Sequence, residues 1–89
     1  MKAIITVVGK DTVGILAKVS TACADADVNI IEVTQSVLQD MFAMTMMVEI
    51  DKSTLGLDAL REKLEKVGEE TNTKIHVMHE DIFNSMHKI

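Results

Sequence analysis

The spacing of apolar positions along this chain changes several times, and each change marks an element. Residues Lys2 to Val8 are dense in β-branched side chains and predict a strand. From about Gly14 to Ala26 the period lengthens. Ile15, Val19, Ala22, Cys23 and Ala26 fall on one stripe, the spacing of a helix laid on a sheet. Asn29 to Gln39 reads as a second strand, Gln39-Asp40 as a tight turn, and Met41 to Ile50 as a third strand antiparallel to it. After Asp51-Lys52-Ser53-Thr54, a second helix places Leu57, Leu60, Leu64 and Val67 on a buried face, with Glu62, Lys63, Glu65 and Lys66 mostly outward. Gly68 is expected to weaken that helix near its end. Thr73 to Met78 predicts a fourth strand, and Ile82, Phe83, Met86 and Ile89 give the tail a short helical stripe.

The order βαββαβ plus a terminal helix is that of a ferredoxin-like α+β sandwich, a four-stranded antiparallel sheet with two helices on one face. In that topology the first and third strands are central. Here both are apolar on both faces: Ala3, Ile5 and Val7 against Ile4 and Val8, and Met44, Met46, Val48 and Ile50 against Ala43 and Met47. The second and fourth strands should be edges, and they alternate. Ile31, Val33 and Val37 are set against Glu32, Thr34 and Ser36, and Ile75 and Val77 against Lys74 and His76. Two helices cover one side of a sheet, so the apolar second side needs another cover. The C-terminal helix supplies part of it, and a homodimer, by sheet-face packing or by pairing of edge strands, is expected to supply the rest.

Eighty-nine residues make one domain, spanning 1–89, near the lower end of sizes that bury an adequate core without disulfides or metal. Only 2% of residues are aromatic, so the core is built from aliphatic side chains and seven Met, which adapt to interfaces as well as to cores. A formal charge of −5 with no Lys/Arg cluster argues against nucleic acid and anionic membranes as partners. No apolar stretch reaches the length of a membrane span, and the start of the chain does not resemble a secretory signal, so the expected location is cytoplasmic.

Between the first strand and the first helix lies Gly9-Lys10-Asp11-Thr12-Val13-Gly14. A phosphate loop needs Lys and then Ser/Thr after its second Gly, whereas Ile15 and Leu16 follow Gly14. The loop instead puts an acid, Asp11, at the helix entrance, where it caps N–H groups or meets a ligand's ammonium. Gly14 permits close approach of a backbone or small ligand.

The string GKDTVGILAKVS, followed by Asp27-Val28-Asn29-Ile30 at the start of the second strand, resembles the signature of the ACT domain, a small regulatory module that binds amino acids. The closing Ile-Phe-x-x-Met stretch and the length are similar to the small stand-alone ACT proteins of prokaryotes, and the resemblance covers essentially the whole chain. It implies a ligand site at a dimer interface. Asp11, Thr12, Val13, Gly14 and Ile15 of one subunit would form the loop wall, and Asn29, Ile30 and Ile31 of its neighbour the strand wall. The family often has Pro where Val13 stands, which leaves this loop an extra N–H and more freedom. Helix capping alone explains Asp11, and a turn role alone explains Asn29; their joint position at one pocket is what favours binding.

Cys23 lies on the apolar stripe with no neighbouring cation in sequence and reads as a packed thiol. His76 and His79 point to opposite faces of a strand, and His87 belongs to another element, so no metal site is expected. Met41, Met44, Met46 and Met47 divide between two sheet faces and read as packing. No local spacing gathers nucleophile, base and orienting acid, so neither catalysis nor a cofactor is expected. The function expected is a homodimeric sensor that binds an amino acid or similar metabolite and signals to a regulated enzyme or regulator protein. The alternative is an interaction module without ligand.

Overall fold

The structure, a computed structural model, describes residues 1–10 and 14–86, with Leu38 described by its backbone alone. Its elements are β1 (Lys2–Lys10), α1 (Ile15–Asp25), β2 (Asn29–Leu38), β3 (Met41–Glu49), α2 (Leu57–Thr71), β4 (Thr73–His79) and α3 (Glu80–Met86). The strands form one sheet in the order β2-β3-β1-β4, with every neighbouring pair antiparallel. The ferredoxin-like α+β architecture and the central places of β1 and β3 are as the alternation of the strands predicts.

The main core lies between the sheet and the two longer helices. Ala3, Ile5 and Val7 of β1 and Phe42, Met44, Met46 and Val48 of β3 meet Ile15, Val19, Ala22 and Cys23 of α1 and Leu60 and Leu64 of α2. Leu57 and Val67 pack against this cluster while remaining partly exposed. Each helix therefore buries the stripe that its 3.6-residue period defines.

Three features depart from the sequence expectation. In β2 the register shifts between Ile30 and Glu32, a bulge in which the strand carries an extra residue against β3. The bulge flips the side-chain phase: Ile30 joins Val33 against the core, and Ile31 is left 46% exposed. Val37 pairs with the core residue Phe42 yet is 57% exposed at the far end of this edge strand.

The second sheet face is less apolar than its Ile, Val and Met suggest. The register lines up Thr34, Thr45, Thr6 and His76 in one row across all four strands. Packing of α3 against β1 and β4 covers part of this face, and Ile4, which points there, is buried. Ile82 and Met86 of α3 remain exposed, and Ile89 lies outside the described residues.

Gly68 proves to be a contact point. A Cβ placed on it would come 2.9 Å from the carbonyl oxygen of Thr73, so only glycine lets α2 approach the start of β4 this closely. The helix continues past it to Thr71, and Asn72 ends it in the left-handed conformation at φ 57. Thr71 and Thr73 are both buried and share a 2.8 Å hydrogen bond between their hydroxyls, which satisfies them in the core.

Candidate functional site

The loop wall begins where β1 ends. Gly9 is paired with Phe42 on one side and Thr73 on the other, so the chain leaves the sheet at the end shared by the β2–β3 turn and the start of β4. Asp11, Thr12 and Val13 lie outside the described residues. Gly14 is the N-cap of α1 at φ 87, a left-handed conformation that explains the glycine by backbone geometry; a Cβ there would meet nothing within 4 Å. Its carbonyl accepts the first helical bond, from the Lys18 N–H at 2.9 Å. Ile15 is 2% exposed and its side chain belongs to the core, so it faces α1's packing partners and not solvent.

The strand wall begins at the opposite end. Asn29 pairs with Glu49, and Glu49 with Lys2. The distance along β3 from this end to Met41, at the other, is roughly 27 Å for an antiparallel strand of nine residues. Within one protomer the two walls are therefore apart. Asn29 is exposed, Ile30 is turned toward the core, and Ile31 stands out on the bulge.

Around Asn29 the structure gathers groups that the motif does not include. Glu49, Asp51 and Lys52 line a surface pocket with Asn29. The amino group of Met1 donates to Glu49 Oε1 at 2.7 Å and also to Asp51 Oδ1. Hydrogen bonding to Asp51, and then to Glu49, raises the pKa of that amine, and the same contact holds the Asp51 carboxyl below its ordinary value. The arrangement shows two carboxylates receiving a primary ammonium next to an amide able to donate and accept. Sequence alone brings this grouping only to within one residue. A two-residue turn at Gln39-Asp40 sets Asn29 opposite position 50, and the β2 bulge moves the pairing by one residue, to Glu49.

The other candidate groups are accounted for by packing or local hydrogen bonding. Burial pushes the Cys23 thiol up to about 11, a protonated and unreactive state at neutral pH. His79 Nδ1 accepts a hydrogen bond from the Asp81 N–H at 3.0 Å. Among the described residues no group of three His, Cys, Asp or Glu is placed to hold a metal ion, and no helix is long and apolar enough to cross a membrane. His87 lies outside the described residues.

The family model described as ACT domain matches residues 2–78. A UPF0237 protein of Listeria innocua is 44% identical over 89 residues, covering all of both chains. Among solved structures, an ACT domain protein from Streptococcus pneumoniae superposes with a TM-score of 0.82 at 41% identity, covering 98% of each chain. The regulatory subunit of aspartate kinase from Thermus thermophilus, in its ligand-free form, superposes with a TM-score of 0.69 at 26% identity, over 86% of this chain and 50% of that one. The chain belongs to the ACT-domain family.

Proposed function

We propose that this chain is a single ACT domain that acts as a regulatory sensor: a homodimer binds an amino acid or similar small metabolite between its subunits and passes the state of the site to a partner protein. The observation that carries this reading is the separation of the two candidate walls within one protomer. β2 is a free edge, and antiparallel pairing of two β2 strands about a two-fold axis sets the Asn29 end of one copy beside the loop end of the other. Each dimer then holds two equivalent sites. Asn29 supplies hydrogen-bonding groups beside Glu49 and Asp51, whose carboxylates also hold the Met1 amine, and the segment ahead of α1, residues 11–14, supplies the facing wall. Membership of the family and the likeness to a regulatory subunit support a metabolite-binding regulatory role. The reading includes no catalytic step and places the protein in the cytoplasm.

The test is thermal melting against each amino acid at millimolar concentration. A ligand at a hundred times its Kd stabilises the folded state by about 2.7 kcal/mol, which for a domain of this size raises the melting point by roughly 10–20 °C. Asn29→Ala should remove the rise, and Val37→Lys, which charges the β2 edge, should remove the rise and halve the mass in sedimentation. Asn29→Ala with undiminished affinity would overturn the site. A sedimentation mass that Val37→Lys leaves unchanged would overturn the edge pairing. A second reading, an interaction module without ligand, rests on the exposure of Ile31, Val37, Ile82 and Met86, and flat melting curves for every amino acid would favour it.

A further inference from the structure

The outer surface of the helical layer carries a charge pattern that the ligand site does not use. α1 runs from the Gly9 end of the sheet to the Lys2 end, because it joins the end of β1 to the start of β2; α2 joins the end of β3 to the start of β4 and runs back. The helices are therefore antiparallel, and the groove between them is lined by Lys18 and Asp25 of α1 and by Lys63 and Glu70 of α2. Each helix places its lysine and its acid seven residues apart, about two turns or roughly 10 Å. Antiparallel running makes the signs alternate around the groove: Lys18 and Glu70 toward the Gly9 end, Asp25 and Lys63 toward the Lys2 end. No ion pair among the described residues involves any of the four.

A surface with this alternation is complementary to itself. If a second copy is turned over by a two-fold axis lying across the helices, Lys18 stands over Asp25 of the partner subunit and Lys63 over Glu70 of the partner subunit, and the reverse pairs follow by symmetry. The ground between the charges is small. Ala17 and Thr21 are exposed, and Ala22 and Val67 form the floor, so two α1 helices can cross closely at Thr21.

We propose that the α1–α2 groove is a self-association surface whose occupant is the helical layer of a second copy of this chain. It lies on the opposite side of the molecule from the open sheet face and does not use the β2 edge, so edge dimers joined through it make a tetramer.

Sedimentation of the full chain from micromolar to millimolar concentration tests it. Lys18→Glu converts two attractions into repulsions and should weaken this association roughly tenfold or more, as should screening by high salt. Lys18→Glu combined with Asp25→Lys exchanges the signs along α1 and should restore it, which a folding defect would not allow. Val37→Lys leaves this surface untouched, so failure of the edge reading is seen separately. A Val37→Lys protein that stays monomeric up to millimolar concentration, an unchanged Lys18→Glu, or a charge exchange that fails to rescue would each overturn the proposal. So would free glycine shifting the NMR signals of Ala17, Thr21 and Val67 without a change in mass, since the groove would then hold a zwitterion.

Discussion

The two edges of the sheet are built to opposite ends. β4 is seven residues long, buries Thr73, Ile75 and Val77 beneath α2, and carries Lys74 and His76 on its other face. Arg61 of α2 reaches across it and donates from Nε to the Val77 carbonyl at 3.1 Å. β2 is ten residues long, has no Lys, Arg or Pro, and exposes Ile31 and Val37. Helix α1 packs on it far more loosely than α2 packs on β4. A strand edge offers unpaired N–H and C=O groups to any other strand, and charge, brevity and a covering side chain are the means by which such an edge is closed. One edge of this domain is closed by those means. The other carries a bulge and one glutamate, Glu32, as brakes. The contrast teaches where association is to be sought.

The largest effect that bears on this contrast is expected in the core beneath the closed edge. Leu64, fully buried on the inner face of α2, should cost about 2–5 kcal/mol on replacement by alanine, measured by urea denaturation, whereas Val33→Ala beneath the open edge should cost clearly less because that side chain is only partly buried. Equal losses would mean that the two halves are equally well packed.

A smaller loss is expected at Gly68. The methyl of Gly68→Ala meets the Thr73 backbone, and separating α2 from β4 should cost about 1–3 kcal/mol in the same experiment. Because alanine also recovers about 1 kcal/mol of helix propensity, a stabilising substitution would show that the approach of α2 to β4 is not tight.

The smallest is Arg61→Ala. It removes one hydrogen bond to β4 from a partly exposed arginine, about 0.5–1.5 kcal/mol, and should speed amide exchange along β4 without affecting β2. Unchanged exchange in β4 would remove Arg61 from the account of the closed edge.

Much of this architecture was legible from periodicity. Two apolar faces identify β1 and β3 as central strands because only a central strand is hydrogen-bonded on both sides and covered over most of its surface. The stripe Ile15, Val19, Ala22, Cys23 and Ala26 identifies the inner face of α1 for the same kind of reason, and all five are buried. The phase of β2 was not legible. A bulge is one extra residue whose position depends on the strand opposite, and it turned Ile30 inward and Ile31 outward. Gly68 reads as a helix breaker by propensity, but its reason is β4, a neighbour that follows only once the chain has turned back.

The candidate site divides in the same way. Gly14 and the start of α1 follow from local backbone demands, and Asn29 is visible as the first residue of a strand. Glu49 and Asp51 join Asn29 only through the register of β2 on β3, and Ile15 leaves the surface only because α1 lies on the sheet. Sequence by itself determined the number and order of elements, the central pair of strands and the inner faces of the two longer helices, since these depend on period and on local conformational cost. Tertiary structure decided which face each β2 residue takes, which edge is closed, and that Gly14 and Asn29 stand at opposite ends of one protomer, because these depend on what lies across a strand pair and not along the chain.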